Sequence, residues 1–259
     1  LPSRIDFTFY QTEAPMAAAL QAGSIDTMDQ FSVAGSPQLL TGGFNVISLK
    51  AATHRQLSMR CDKGPFKNKL VRQAILYAVP YKTIMQQVLL GQGVQLKSPI
   101  PAGTPDSDFK YWHYDTDYAK AKSLLAKAGF AKGFSTQLDI QTGNPIDEQT
   151  ASWIQQGLQQ IGIDVSINKQ PSAAFTGQLQ AKKHAFWFSS SSWISINNDP
   201  LYHLYWLFDQ SCCTYGNYLN PKVRSLVNKW VNAPLNDPRR IAAVRQMQKI
   251  IVDDAPWIF

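Results

Sequence analysis

Cysteine is scarce in this sequence, with three residues in 259, at positions 61, 212 and 213. An odd number excludes complete pairing, so a bridge from Cys61 to Cys212 or Cys213 would leave one thiol free. The adjacent pair is a poor candidate for a bridge of its own, because the peptide between the two residues would have to distort. A reduced, buried Cys61 is the other interpretation, and the spacing alone leaves both open.

Long apolar runs are also missing. No segment approaches the roughly 20 residues that a bilayer-spanning helix needs, so we expect a chain that is not membrane-embedded. The first residues, LPSRIDFTFY, lack the basic, apolar and small-residue zones of a signal peptide. Ile5, Phe7 and Phe9 alternate with polar residues and predict a strand that needs neighbours. This pattern indicates a piece of a longer protein.

Blocks of like charge are absent, although the formal net charge is +7. Lysine and arginine are spread along the chain, and the short clusters at 182–183 and 239–240 are not part of longer runs. Most aromatic residues fall in apolar stripes rather than between basic residues, as a nucleic-acid stacking groove would require. We therefore interpret the positive charge as solvated surface and expect no nucleic-acid partner.

The common catalytic and nucleotide-binding motifs are missing as well. The sequence contains no HExxH, GxSxG, GKS or GxGxxG, and paired carboxylates do not stand out. The histidines at 54, 113, 184 and 203 lack metal-ligand spacing, and His203 is predicted to lie on a helix surface. We expect no catalytic residue, metal or cofactor. A hydrolase-like enzyme, a ligand-sensing module outside transport and a structural or partner-binding module remain alternatives.

The sequence contains 44% hydrophobic residues, which is enough to form a large core. This content fits one large domain or two smaller ones. Strand-like and helix-like segments alternate, which predicts a mixed α/β architecture. Strands are predicted at 5–9, 24–30, 45–50, 56–61, 136–141, 163–167 and 185–188, and in the terminal DDAPWIF.

Helices are predicted from apolar spacing and from residues that begin and end them. Apolar positions recur at three- and four-residue steps from 70 to 79, with Arg72 and Gln73 facing outward or along the flank. The next helix ends at Gly91, and the one after it begins at the N-cap Asp117 and ends at a left-handed Gly129. Further helices are predicted at 15–22, 147–160, 172–180, after Asp199-Pro200, after Pro221, and after Asp237-Pro238 with Arg239, Arg240, Arg245 and Lys249 facing outward.

Three segments in a fixed order carry a resemblance to a known family. They are PFKNKLVRQAILYAV, a Pro99-Ile100-Pro101 break and YDTDYAKAKSLLAKAGF. In this order they resemble the substrate-binding proteins of peptide and nickel ABC transporters, solute-binding protein family 5. Near the end of the chain, Asn217 and Tyr218 resemble the Asn-Tyr pair that precedes a helix in this family. The resemblance implies a type II periplasmic-binding-protein lobe, with a mixed sheet flanked by helices.

The resemblance also implies one part of a two-lobed protein. Residues 1–52 would belong to the sheet of the larger lobe, and residues 53–259 would form the second ligand-binding lobe. The whole would be a monomer without enzymatic activity, periplasmic or tethered to the cell surface, that delivers a ligand to ABC permease and ATPase subunits. Since both lobes contribute contacts and exclude water from the ligand, we expect weak or undetectable binding by this chain alone.

The segment SSSSWISINNDP, residues 189–200, is the candidate ligand site. It follows a strand predicted to end at residue 188 and precedes a helix, and open α/β sheets form their ligand crevices at such strand ends. The serines offer small hydroxyl groups and Trp193 a flat wall, although tight packing and a core tryptophan explain the residues equally well without the resemblance. The residues predicted to line the cleft are Ser191, Ser192, Trp193, Ser195, Ile196 and Asn197.

The same segment departs from the family at one position. Peptide-binding relatives place an acidic residue there, which holds the terminal ammonium of the peptide, and this sequence has Ile196. Burial of an ammonium group against Ile196 without an acceptor would cost on the order of 2 to 5 kcal/mol. The resemblance therefore implies a peptide-like or modified-peptide ligand, and free-amine peptides only if Asp199 or the other lobe supplies the carboxylate. Asp199 is itself predicted to cap the next helix.

Overall fold

The computed structural model describes residues 2–10, 12–29, 35–47, 53–194, 197–209 and 213–258, with the main chain alone at 36, 53–54 and 188–194. The helices and strands of these residues follow in the order α1 Glu13–Gln21, α2 Ser36–Thr41, β1 Thr53–Met59, α3 Lys69–Ala78, α4 Tyr81–Gln87, α5 Tyr118–Lys127, β2 Phe134–Gln141, α6 Pro145–Gln159, β3 Ile163–Gln170, α7 Ser172–Gln180, β4 Phe186–Ile194, α8 Pro200–Phe208, α9 Pro221–Trp230, α10 Pro238–Asp254 and β5 Trp257–Ile258. Single 3-10 turns lie at Pro65–Lys67 and Phe109–Tyr111.

The strands form one mixed sheet in the order β3-β2-β4-β1-β5 over the described residues. Strand β2 is parallel to β3 and β4, and β1 is antiparallel to β4 and β5. The predicted mixed α/β class is therefore confirmed. Strand β4 lies in the centre, parallel to one neighbour and antiparallel to the other.

The two faces of the sheet differ because side chains alternate along each strand. One face carries Leu57, Leu138 and Phe186, which belong to the main apolar core together with residues of α3, α5, α6 and α10. The opposite face carries the buried polar residue Asp139 and the ring of Trp187. Helix α7 lies beside β2. The sheet thus separates an apolar core from a more polar side.

Two predicted helix caps and one predicted helix end are confirmed, whereas the helix predicted to end at Gly91 ends at Gln87 and α2 was not predicted. Asp117 Oδ1 accepts a hydrogen bond from the Lys120 amide at 2.9 Å, and Asp237 Oδ1 accepts one from the Arg239 amide at 2.8 Å. Each such cap stabilises its helix by about 1 kcal/mol. Gly129 follows α5 in the left-handed region, with φ of +87°. Of the described helices, none is long and apolar enough to cross a membrane.

Three strands predicted near the start of the chain are not found in the residues that the structure describes. The described parts of these segments, 5–9, 24–29 and 45–47, contain no strand, while residues 30 and 48–50 lie outside the described residues. The side chains of Ile5, Phe7 and Phe9 are 69, 81 and 93% exposed. An alternating pattern gives a strand only where a neighbour pairs with its main chain, and the described residues offer no such neighbour to 5–9.

Two arginines that the pattern placed outward or on a helix flank are buried. Arg72 is 5% exposed and donates to the carbonyl oxygens of Phe66 and Asp254 at 2.8 and 2.7 Å. The Arg240 side chain is 1% exposed, and its Nη2 donates to both carboxylate oxygens of Asp199 at 2.7 and 2.8 Å. An apolar stripe does not reveal which flanking cation has an acceptor far along the chain.

The environments of His203 and Cys61 settle two further expectations. His203 is completely buried rather than on a helix surface, and burial lowers its pKa to about 4. Cys61 is a free thiol, half-buried, with Sγ 3.4 Å from the carbonyl oxygen of Met59. Burial raises the pKa of the Cys61 thiol to about 11, which keeps it protonated and unreactive at neutral pH.

Replacing Arg240 with methionine should lower the free energy of unfolding by about 3 to 5 kcal/mol, because the mostly buried carboxylate of Asp199 would lose its cationic partner and keep only the hydrogen bond from the Leu201 amide. Urea denaturation measures the change. Arg239→Met is the matched control on the same helix, and it should have little effect because the Arg239 side chain is 77% exposed. Equal stability of the two variants would contradict a structural role for the ion pair.

Candidate functional site

The candidate segment begins inside strand β4 rather than after it. The predicted strand at 185–188 is real, but β4 continues to Ile194, so Ser191, Ser192 and Trp193 are strand residues. The expectation that this strand ends at residue 188 was therefore wrong. The run of serines has little apolar surface, which hid its strand conformation, and pairing with β1 on either side of it, at Ser189 and Trp193, keeps it in the strand.

The pairing of β4 with β1 is irregular at the serines. His54 lies opposite Trp193 and Gln56 opposite Ser189, so one residue of β1, Arg55, faces the three residues 190–192 of β4. Such a bulge interrupts the ladder of main-chain hydrogen bonds and redirects the strand. The carboxyl end of β4 is also where an open α/β sheet forms its ligand crevice. The bulge is the feature that distinguishes this end of the sheet.

Beyond the strand, Asp199 fixes the chain where helix α8 begins. Its Oδ1 accepts a hydrogen bond from the Leu201 amide at 2.9 Å, which confirms the predicted cap. Both carboxylate oxygens also accept from Arg240. Since the charge of Asp199 is already compensated by a buried guanidinium group, this residue is a poor replacement for the missing ammonium anchor.

A cavity of about 260 Å³ opens on the polar face of the sheet beside β4. Its walls include Gln56 and Ser58 of β1, Gln141 at the carboxyl end of β2, and Trp187 of β4. Gln56 Oε1 is buried and has no hydrogen-bond partner among the described residues. Because Gln56 lies opposite Ser189, the cavity adjoins the start of the serine run. A ligand in the crevice would meet polar groups on this side.

The pair of Asp139 and His184 does not line this cavity itself but lies behind Phe175, a residue of its wall. His184 Nδ1 lies 2.8 Å from Asp139 Oδ2, and its Nε2 lies 3.1 Å from the carbonyl oxygen of Phe175, whose ring it stacks on at 4.6 Å. Burial raises the pKa of Asp139, but hydrogen bonds from His184, Asn168 and Gln137 outweigh it and hold the pKa below its ordinary value. Both nitrogens of His184 are engaged, so this histidine is a structural residue and not a free base.

On the core side of the sheet, Arg55 and Asp147 form an ion pair at the same carboxyl edge. Arg55 Nη1 lies 2.7 Å from Asp147 Oδ1, and the Asp147 side chain is completely buried while that of Arg55 is 40% exposed. Asp147 Oδ2 has no hydrogen-bond partner in the part of the chain that the structure describes. Burial raises the pKa of Asp147 to about 6, although Arg55 acts in the opposite direction.

A second cavity, of about 410 Å³, lies at the opposite end of the sheet. It is lined by Arg60, Lys63, Lys182 and Lys183 near the amino end of β4. Arg60 is committed to Asp62, at 2.5 Å from Nε to Oδ1, and to the carbonyl oxygen of Lys182. This basic cavity is therefore separate from the strand ends that form a crevice. No group of three metal-ligating side chains occurs among the residues that the structure describes.

The six residues predicted to line the cleft are placed unequally. Ser191, Ser192 and Trp193 lie at the bulge in β4 and just beyond it, and their side chains are not described. Ser195 and Ile196 lie outside the described residues. Asn197 is exposed and accepts a long hydrogen bond, 3.4 Å, from the Asp199 amide. That these residues contact a ligand stays a prediction.

Sequence reasoning missed Arg55, Gln56 and Asp147. The first two lie in a strand whose apolar alternation drew attention to its core positions. Asp147 follows the cap Asn144 and Pro145, a typical helix start in which an acidic residue has an ordinary dipole role. Its distance from Arg55, 92 residues along the chain, gave no signal of their pairing.

A mixed sheet flanked by helices, with a cavity beside its central strand, has the architecture of a periplasmic-binding-protein lobe. Comparison with known proteins then gives the family, because the profile of the bacterial extracellular solute-binding proteins, family 5 (middle), matches residues 1–212. The chain belongs to this family, as the resemblance in the sequence implied. By its description, the family consists of solute-binding proteins rather than enzymes.

Each relative aligns with nearly the whole of this chain, but the chain spans only about half the length of the relative. The chain is 29% identical to heme-binding protein A of Haemophilus influenzae, over 93% of this chain and 45% of that protein. It is 26% identical to the glutathione-binding protein GsiB of Pectobacterium atrosepticum, over 92% of this chain and 45% of that protein. It also resembles a solved structure, the ABC transporter-associated periplasmic binding protein DppA from Helicobacter pylori in complex with peptide STSA. The TM-score is 0.86, and the two chains are 26% identical over 96% of this chain and 49% of that one.

Replacing Asp147 with asparagine should stabilise the protein at pH 8 by about 1 to 3 kcal/mol. The folded-state pKa of about 6 lies above the ordinary value of 3.8, so the folded chain binds this proton more tightly and loses stability as pH rises through 6. Arg55 can lose its partner at small cost because its side chain reaches solvent. Urea denaturation at pH 8 and pH 4 measures the gain, which should fade at the lower pH.

The adjacent Glu148→Gln is the control for that measurement. The hydrogen bond from Lys169 lowers the pKa of Glu148, so ionisation of this side chain favours folding rather than opposing it. Its substitution should therefore be neutral or slightly destabilising at pH 8. A loss of stability in Asp147→Asn at pH 8 would contradict the proposed cost of the buried carboxylate.

Proposed function

We propose that this chain supplies one lobe of an extracytoplasmic solute-binding protein that delivers its ligand to an ABC importer. The observation that carries the proposal is the position of the serine run, at a bulge where the central strand reaches the carboxyl edge of the sheet. Membership in solute-binding family 5 supports it. The ligand would lie against this edge and be enclosed by a second lobe.

The proposed division of the chain follows the sheet. Residues 53–259 form the second ligand-binding lobe, and the first strand of the sheet begins at Thr53. Residues 1–52 belong to the larger lobe, and their described parts contribute no strand to this sheet. The exposed Ile5, Phe7 and Phe9 are expected to pair there. That the chain spans about half the length of its relatives supports a further lobe outside it.

The proposed ligand is a peptide-like or modified-peptide molecule. Relatives of this chain are named for heme and for glutathione, and a solved relative holds a peptide. In the proposed roles, Trp193 forms a wall, while Ser191, Ser192, Ser195 and Asn197 donate or accept hydrogen bonds. Ile196 selects against a free ammonium group, and the compensation of Asp199 by Arg240 supports this selection.

The remaining parts of the proposal concern partners and location. The protein would act in the periplasm or tethered at the cell surface, as a monomer, and would dock on the permease of an importer driven by ATPase subunits. We propose a binding role without catalysis. The engaged nitrogens of His184 support that choice, because this histidine, which lines the 410 Å³ cavity, has no nitrogen free to act as a general base.

The proposed function is tested with the protein that carries both lobes and with the 259-residue chain. Mass spectrometry identifies the molecule that co-purifies with the two-lobed protein, and calorimetry then compares its affinity for both. We expect binding by the two-lobed protein and at least tenfold weaker binding by the chain, because half of the contacts are missing. Equal affinity would contradict an interlobe site, and turnover of the molecule would favour the enzyme alternative.

Trp193→Ala in the two-lobed protein should weaken binding of the co-purified molecule by about 1 to 4 kcal/mol, because a buried aromatic wall is a typical anchor of a bound ligand. Calorimetric titration measures the loss. Trp230→Ala is the matched control, since Trp230 lies on α9 against Arg239 and Lys229, away from β4. Unchanged affinity in Trp193→Ala would remove this residue from the site.

A further inference from the structure

Arg55 is a cation at the carboxyl edge of the sheet that uses only some of its hydrogen-bond donors. A guanidinium group has five N–H donors, and the described hydrogen bond of Arg55 is the one from Nη1 to Asp147 Oδ1. Its side chain is 40% exposed, in contrast to the 1% and 8% of the buried Arg240 and Arg60. Donors of Arg55 therefore remain available to a molecule in the crevice.

Asp147 holds the guanidinium group in place. The carboxylate is completely buried in the first turn of α6, and one of its oxygens has no hydrogen-bond partner in the described ranges. A pair required for packing alone would be expected to satisfy both oxygens, as Asp199 does with Arg240. The half-satisfied pair is costly for the fold, and such groups are enriched at functional sites.

The register of the sheet places Arg55 beside the proposed ligand site. Arg55 is the single β1 residue opposite the bulge at 190–192, and its neighbour His54 lies opposite Trp193. On the other side of the same strand, Gln56 lines the 260 Å³ cavity with a buried oxygen that has no hydrogen-bond partner among the residues that the structure describes. A ligand that lies along the bulge would thus bring one of its ends to the guanidinium group.

We propose that Arg55 is the anion receptor of this crevice and that the ligand bears a carboxylate or a similar oxyanion, which pairs with the free edge of the guanidinium group. Asp147 is the positioning residue that orients this edge. The inference rests on the proposed function and narrows its ligand class. Together with Ile196 in place of an ammonium anchor, it indicates an acidic molecule without a free amino group, such as an amino-blocked peptide acid.

Planar, two-point pairing explains why arginine suits this role. Guanidinium and carboxylate groups form two parallel hydrogen bonds, which give direction as well as attraction. A lysine would keep the charge but lose this geometry. The proposal therefore predicts selection between a carboxylate and its uncharged amide, which differ in charge and in the number of acceptors but hardly in size.

The test uses two libraries of amino-acetylated tripeptides that differ only at the carboxyl terminus, as free acids or as carboxamides. The two-lobed protein is incubated with an equimolar mixture, and native mass spectrometry counts the retained members of each kind. We expect acids to be retained at least tenfold over amides. In Arg55→Gln this ratio should fall to about one, and in Arg55→Lys it should take an intermediate value.

Two further variants separate recognition from folding. Asp147→Asn should keep or raise stability in urea denaturation, yet reduce the ratio of acids to amides severalfold, an effect that a merely structural pair would not produce. Arg245→Gln is the matched control, because Arg245 is 51% exposed and faces Asp106 at 3.8 Å on the distant α10. Its ratio should equal that of the unsubstituted protein.

Each outcome bears on a different level of the proposal. Equal retention of acids and amides, or a preference that survives in Arg55→Gln, would overturn the anion receptor and leave the proposed function standing. Arg55 and Asp147 would then form an ion pair with a structural role only. If the two-lobed protein retained neither library and no molecule co-purified with it, the proposed function would fail and this inference with it.

Discussion

The central position of β4 is the constraint on which the site depends. Strand β4 pairs with β2 at Phe186 and Trp187 on one side and with β1 on the other, and its ladder with β1 contains the bulge at 190–192. The residues that flank the bulge, Ser189 and Trp193, pair with β1, so β1 is the neighbour that holds the serines in the strand. The parallel partner sets which end of the strand opens into a crevice, and the antiparallel partner brings Arg55 to that end.

Three carboxylates lie near this strand, two of them buried and one, Asp199, partly exposed, and they differ in how fully their charge is compensated. Asp139 accepts several hydrogen bonds, and Asp199 receives two bonds from Arg240 while it caps α8. Asp147 receives one from a half-exposed arginine. The first two therefore contribute to rigidity, whereas the third leaves hydrogen-bonding capacity at the crevice. The number of hydrogen bonds that each carboxylate receives, rather than its charge, is therefore the basis for interpreting Asp139 and Asp199 as structural and Asp147 as functional.

The predictions from sequence succeeded where the determining interactions are local. Caps such as Asp117 and the left-handed Gly129 act within one helical turn, and the periodicity of α3 is a property of ten consecutive residues. They failed where the partner is remote. Residues 5–9 alternate like a strand but have no described neighbour, and Arg240 lies on the flank of an apolar stripe but reaches Asp199, 41 residues away.

The sequence by itself determined the order of helices and strands after residue 53, the mixed α/β class and the family resemblance, because hydrogen bonds within a helix, capping and alternation are written in neighbouring residues. The tertiary structure alone decided the site. Arg55 and Asp147 are 92 residues apart, and the serines become a bulge only when β1 lies beside them. Pairing across a sheet depends on the register of several strands at once, which no local pattern contains.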